Sequence, residues 1–343
     1  MKLSDEIILK IVDTFDEATK LYYNFAIDEE KDNTSVTNYN IQVRRTNYYE
    51  CLLEIMDYYL GNKELNTDEK TYEEIKKLFD SLEEKLVGYN LTSEEMRRAL
   101  LFLDINGFKH VNFPLDYITP DVVSIICTYI IQHLYKDEIN ILDFNFGVGN
   151  LAFYLANNLV QDVNLFGIEN HSLLVSVASH KADLMEQELT LYHQDALEYI
   201  PGGMDVVISD IATHDYENPN YTSELYEKGI RYFPYLAIEK YLALDKNPLY
   251  IYIIDNNFFT KPGSDIFKDY LKDKATILSL IALPENFFIN KEDAKSILIL
   301  SKKDSEKNAK SSVFMLPQID NKDAFMKTLD AVIDHIKKEK GTI

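Results

Sequence analysis

Cysteine is nearly absent from this chain, occurring only at Cys51 and Cys127, and tryptophan is missing altogether. Two isolated thiols exclude a disulfide framework and a cysteine-built metal site, and they fit a reducing compartment. The seven histidines are scattered with no H-x-x-x-H pair, so no zinc centre, and no metal of any kind, is expected. No apolar run approaches the roughly 20 residues needed to cross a bilayer. Met1-Lys-Leu-Ser-Asp-Glu6 lacks the basic and apolar parts of a signal peptide. These absences point to a cytoplasmic protein with no membrane association. The nucleophile elbow G-x-S-x-G and the phosphate loop G-x-x-x-x-G-K-[ST] are missing too. Positive charge is scarce: 35 basic against 57 acidic side chains give a net charge of −22. Such a chain repels nucleic acid at long range unless a basic patch overcomes that background. Arg44-Arg45, Arg97-Arg98 and the lysines between 302 and 310 are the candidate patches, and each reads as solvated surface.

What is present is enough apolar sequence, 46% of 343 residues, for one large core or two of middling size. Residues 1–110 carry helical periodicity. Apolar residues recur from Ile7 to Phe15 and through Leu21-Tyr-Tyr23, and again over Tyr48–Leu60 and Tyr72–Leu86. The polar run from Asp28 to Asn40 reads as a loop. Thr92-Ser-Glu-Glu95 has capping-box spacing ahead of Met96–Leu103, and Gly107 is placed to end that helix. This region is expected to be a helical domain with a packing role or a role in binding a protein partner or a second copy.

Residues 111–343 read as a second domain. Thr119 is placed as an N-cap and Pro120 as the first residue of a helix to Leu134. Strands are then expected at 140–144, 164–168, 189–192, 204–209, 249–254, 276–282 and 296–300, with helices between them and a surface helix over 322–338. Alternation of this kind builds an α/β, Rossmann-like sheet. Asn140-Ile-Leu-Asp-Phe-Asn-Phe-Gly-Val-Gly-Asn-Leu-Ala152 is its organising stretch: strand, glycine turn, helix. That construction brings backbone N–H groups close to a nucleotide-like ligand, and Gly147 and Gly149 let the chain approach without a Cβ.

Asp143, Glu169, Asp195 and Asp210 each fall at or just after the C-terminal end of an expected strand, which in an open parallel sheet is the ligand edge. Glu169 can accept from both hydroxyls of a ribose, and Asp195 from an adenine amino group. Gly147-Val-Gly-Asn-Leu-Ala152 also fits the G-x-G-x-x-A dinucleotide fingerprint, so a NAD-dependent oxidoreductase competes. Asp143 argues against it: a carboxylate ahead of the turn repels a pyrophosphate and suits the ammonium or sulfonium of S-adenosyl-L-methionine.

On these residues the segment 117–210 resembles the class I S-adenosylmethionine-dependent methyltransferases, specifically the adenine-N6 DNA methylase group. Asp143-Phe-Asn-Phe-Gly-Val-Gly-Asn-Leu151 is similar to that family's D-P-x-x-G-x-G-N-L cofactor motif. Tyr117-Ile-Thr-Pro120, Gly167-Ile-Glu169 and Gln194-Asp-Ala-Leu197 are similar to its segments before the first strand, at the ribose and at the adenine. A helical extension ahead of a compact methylase domain looks like small stand-alone bacterial members. The resemblance implies a seven-stranded sheet with the last strand antiparallel. It also implies a cofactor site of Thr119, Asp143, Asn145, Gly147, Gly149, Asn150, Glu169, Asp195 and Ala196. The implied reaction is methyl transfer to a nitrogen on nucleic acid or on a smaller molecule.

The family's N-P-P-Y or D-P-P-Y catalytic motif is replaced by Asp210-Ile-Ala-Thr213. Asp210 keeps one acceptor for the amine, the proline backbone is lost, and Tyr216, or else His214, from the following loop is the candidate to replace the stacking aromatic, unless Tyr216 only packs within that loop. A protein that binds the cofactor without transferring methyl groups, and acts through partners, is the alternative. The tyrosine-rich segments 216–226 and 231–235 are expected beside the same edge, as a substrate lid or as loop packed on the core or against a partner.

Overall fold

The computed structural model describes residues 3–34, 47–288, 290–304 and 310–340. Arg44-Arg45, residues 305–309 of the lysine-rich stretch and residues 35–40 of the expected loop lie outside the described residues. In chain order the elements are α1 (Leu3–Thr34), α2 (Tyr48–Tyr59), α3 (Glu69–Leu86), α4 (Ser93–Val111), α5 (Asp121–Leu134), β1 (Ile139–Asp143), α6 (Asn150–Asn158), β2 (Val163–Glu169) and α7 (Ser172–Leu184). They continue as β3 (Leu189–His193), β4 (Val206–Asp210), α8 (Glu224–Glu227), α9 (Phe233–Leu242), β5 (Leu249–Asp255), α10 (Ser264–Lys274), β6 (Ala275–Ala282), β7 (Lys295–Lys302), β8 (Ser312–Met315) and α11 (Lys322–Lys340). The chain forms two compact units, one of residues 1–117 with 172–188 and one of residues 118–171 with 189–343.

In the first unit α1 buries Ile7, Ile8, Ile11, Phe15 and Ala18, the i, i+3/i+4 stripe of an amphipathic helix. The segment 28–34, expected as loop, continues α1. Glu29, Glu30 and Lys31 are good helix formers, and no glycine or proline interrupts them. Three of the helices start on side-chain caps. Asn47 accepts from the Glu50 N–H, Asp68 from the Thr71 N–H, and Thr92 and Glu95 form a complete capping box. Gly107 does not end α4 as expected. The helix runs on to Val111 and closes on Asn112 in the left-handed conformation. Gly107 instead faces Tyr49, whose ring would lie 2.7 Å from a Cβ there. Beside it Asp104 and Lys181 are both fully buried and form an ion pair, and the Tyr49 hydroxyl donates to Asp104 at 2.7 Å. Paired and hydrogen-bonded charges are the form in which a core accepts ions.

In the second unit the sheet order is β3-β2-β1-β4-β5-β7-β6-β8. All neighbours are parallel except at β7, which is antiparallel to β5 and β6. The antiparallel strand is thus where it was expected, but the sheet has eight strands rather than seven. The extra one, β8, is a four-residue edge strand. It pairs with β6, and its Val313 and Met315 are exposed, so neither its length nor its burial left a mark in the sequence. Successive strands run outward from β1 to β3, then cross to β4 and outward again. The reversal between β1 and β4 is the switch point at which open α/β sheets bind ligands. The terminal helix α11 is more than a surface helix: Phe325, Leu329, Val332, Ile333 and Ile336 are buried along one face.

Candidate functional site

Strand register sets the spacing of the acids. Asp143 pairs with Gly167 on one side and Ile208 on the other, so Glu169 and Asp210 each stand two residues beyond it and share its facing. Glu169 pairs with His193, which puts Asp195 two residues further out.

The turn after β1 is built on glycine. Gly147 has φ 55° and Gly149 φ 76°, and the Gly149 N–H donates to the Phe146 carbonyl at 2.8 Å. A Cβ on Gly149 would lie 2.4 Å from the Phe153 ring and 2.6 Å from that of Phe146. Gly167 on β2 meets Phe146 in the same way, at 2.3 Å. Phe146 is therefore wedged against the turn, and two glycines make room for it.

Each acid is held by donors. The Asn145 N–H donates to Asp143 at 3.0 Å, and Asp143 is 2% exposed. Burial, only partly offset by that N–H, pushes its carboxyl up to about 7. Glu169 accepts from the Gly147 N–H at 2.9 Å and from the His171 N–H at 2.7 Å, one to each oxygen. Asp195 accepts the Leu197 N–H at 2.8 Å on one oxygen and the Tyr216 hydroxyl at 2.9 Å on the other. The Ala196 carbonyl accepts from the Tyr241 hydroxyl at 3.0 Å, and Tyr241 stacks on Phe144 at 4.3 Å.

Asp210 is gripped from two sides. The Thr119 hydroxyl donates to it at 2.9 Å, and the Lys295 ammonium at 2.7 Å. Thr119 was expected to cap α5. That cap position is held by Pro120, with no side-chain cap bond, and Thr119 is turned instead to Asp210. Asn150, the first residue of α6, donates to the Thr119 carbonyl at 2.6 Å and to Asp121 at 3.1 Å. The Asn145 amide oxygen accepts the Ala212 N–H at 3.3 Å, tying the glycine turn to the loop after β4. The four acids thus lie along one strand edge, each within its own hydrogen-bonded group.

Two features were not read from the sequence. Lys295 opens β7 opposite Asp255, and an antiparallel strand brings its first residue to the edge where parallel strands end. A lysine heading the apolar run Ser-Ile-Leu-Ile-Leu was the available signal. The other is the build of the tyrosine-rich segment. It is closed by the bridge Asp215–Tyr232 and by the Phe233 N–H on the His214 carbonyl at 2.9 Å. Glu239 of α9 holds Ser223 and the Leu225 N–H, and Arg231 lies 3.7 Å over the Tyr226 ring. Tyr216, expected to stack on the acceptor, points its hydroxyl at Asp195 instead.

No family model matches the chain. The Bacillus subtilis protein YtxK, itself uncharacterised, is 31% identical over 308 residues, which are 85% of this chain and 92% of that one. Among solved structures, a Listeria monocytogenes protein described as a candidate class I S-adenosylmethionine-dependent methyltransferase matches with TM-score 0.81 and 24% identity. The match covers 97% of this chain and 100% of that one. The methyltransferase subunit of a type I restriction-modification system from Streptococcus thermophilus matches with TM-score 0.59 and 13% identity, over 97% and 94% of the two chains. The fold is that of the class I methyltransferases.

Proposed function

The chain belongs to the family of Bacillus subtilis YtxK, and from that premise we propose that it is an S-adenosylmethionine-dependent N-methyltransferase. The observation that carries the reading is the strand edge itself. Donors orient carboxylates at successive strand ends around a turn in which Gly149 has no room for a Cβ.

These residues fit the cofactor. Asp143 is a buried carboxyl with a raised pKa, which a neighbouring cation would ionise and a pyrophosphate would not. With Asn145 and the turn at Gly147–Gly149, it would hold the amino-acid end. Glu169, with one lone pair on each oxygen already committed, would take the ribose hydroxyls. Asp195 and Ala196 would border the base. When bound, the cofactor supplies a methyl group on a positively charged sulfur.

The chain's own work is then placement, since in-line transfer to a nitrogen depends chiefly on orientation. Thr119 and Lys295 fix the Asp210 carboxylate, and Asn150 fixes Thr119. Asp210 would face the acceptor and receive its N–H. The acceptor is a nitrogen on nucleic acid or on a smaller molecule. Ile211 and Ala212 where the adenine methylases have prolines, with a net charge of −22, favour an acceptor other than bulk duplex DNA. The helical unit carries none of these residues and is proposed to bind a protein partner or a second copy, which sedimentation of the full chain reads as mass.

The test is transfer of labelled methyl from S-adenosylmethionine to DNA, RNA and a small-molecule extract by the full chain. Labelling of one class, lost in Glu169→Ala, is the expected result. Failure of the chain to bind the cofactor at all would overturn the proposal.

A further inference from the structure

The hydroxyl of Tyr216 sits where the loop after β4 meets the edge of the sheet, and its hydrogen bonds have a fixed direction. A carboxylate only accepts, so the bond to Asp195 at 2.9 Å is donated by Tyr216. The Asn218 amide donates in turn to the Tyr216 oxygen at 3.2 Å. Asn218 is itself held at both ends of its backbone. Its carbonyl accepts from the Tyr226 hydroxyl at 2.9 Å, and its N–H reaches the same oxygen at 3.3 Å. Tyr226 lies under Arg231, whose carbonyl accepts the Tyr216 N–H at 2.6 Å. The relay Asn218 to Tyr216 to Asp195 therefore hangs on a closed frame. The ring of Tyr216 is packed edge-on against Tyr221 at 5.3 Å. Burial, with the negative charge of Asp195 among the lesser causes, pushes the Tyr216 hydroxyl up to about 12, so it remains a donor across the physiological range.

Asp195 is left with a defined remainder. One oxygen carries the Leu197 N–H and the other the Tyr216 hydroxyl, so each retains one acceptor direction. A group approaching it must bring a hydrogen. An exocyclic amino group does so, and a ring carbonyl at the same place presents an oxygen to a carboxylate.

We infer that Tyr216 determines base specificity at the cofactor site: by orienting Asp195 as an acceptor, it makes the site accept a 6-amino purine and reject a 6-oxo purine. This inference rests on the cofactor reading above and gives Tyr216 a role on the cofactor side of the edge. It acts as a positioning residue, through Asp195, and touches no reacting atom. Without its hydroxyl, Asp195 keeps only the Leu197 N–H and gains rotational freedom, so its acceptor oxygens are no longer fixed toward the 6-position of the base.

The experiment is calorimetric titration of the full chain with S-adenosylhomocysteine and with its 6-oxo analogue, S-inosylhomocysteine. Wild type, Tyr216→Phe and Asn218→Ala are compared. Wild type should favour the adenosyl ligand strongly, and Tyr216→Phe should narrow that preference by about tenfold, the worth of one hydrogen bond to a charged group. Asn218→Ala, which leaves the tyrosine in place, should narrow it less. Equal weakening of both ligands in Tyr216→Phe, or an unchanged preference, would overturn the role of Tyr216 and leave the cofactor reading standing. Binding of neither ligand by wild type would overturn both.

Discussion

Asp143 is a carboxylic acid that the fold holds nearly out of water, and the consequence is a pH dependence of definite sign. Its folded value of about 7 lies above that of an exposed aspartate, so the native state binds the proton more tightly than the unfolded chain. Its contribution to stability is therefore full at low pH, below the ordinary aspartate value, and is lost as pH rises to 7. The span amounts to about 4 kcal/mol as an upper bound. Denaturant titrations between pH 4 and 8 should show wild type losing more stability across that window than Asp143→Asn. Ligand binding runs the other way. A bound ammonium requires the ionised form, so affinity for S-adenosylhomocysteine should fall by up to tenfold per unit as pH drops below 7, and Asp143→Asn should flatten the profile. Asp210 and Lys295 are both largely buried, and Lys295→Met leaves a buried carboxylate unpaired at a cost of about 3–5 kcal/mol. Adding Asp210→Asn should recover much of that loss, and a double-mutant cycle by chemical denaturation measures it.

The helices and strands show which physical signals survive in sequence and which do not. The glycine turn was legible because positive φ and close packing both demand glycine, and the strand-end acids because a sheet edge is the one place where each parallel strand delivers a polar residue. Helix starts were legible at Thr92, where cap and box lie within four residues. Thr119 was misassigned because a threonine before Pro-Asp looks the same whether it caps a helix or reaches a carboxylate 91 positions away. Lys295 was missed for the same reason, since its partner is 85 positions distant. Gly107 read as a helix stop because glycine is a poor helix former, while its use is room for Tyr49. The two effects oppose each other in Gly107→Ala: propensity favours alanine by about 1 kcal/mol, and forcing a methyl against the ring costs about 1–3 kcal/mol. Packing should win, and thermal denaturation should show the variant less stable than wild type. In the same helical unit, Lys181→Met strands the buried Asp104, with an expected loss of about 3–5 kcal/mol.

For the whole molecule, net charge sets which macromolecules can be approached. At −22 the chain as a whole repels a polyanion, and the counterion release that drives nonspecific binding to duplex DNA has to come from a local basic patch. Fluorescence anisotropy with labelled duplex should show weak binding and a shallow salt dependence. Tight binding with a steep salt slope would place a basic surface on the molecule and restore bulk DNA as acceptor. Among the described residues no helix is long and apolar enough to cross a membrane, and no group of three or more His, Cys, Asp or Glu is placed to hold a metal ion.

The edge lined by Asp143, Glu169 and Asp195 is proposed to receive a sulfonium nucleoside. Calorimetric titration of the full chain at pH 8 with S-adenosylhomocysteine and with NAD tests it most directly, with Glu169→Gln as the comparison. Saturable one-to-one binding of S-adenosylhomocysteine, no heat with NAD, and at least about tenfold weaker binding in Glu169→Gln, where a charged acceptor is lost, are the expected results. Binding of NAD, or an affinity for S-adenosylhomocysteine that Glu169→Gln leaves unchanged, would contradict the proposal.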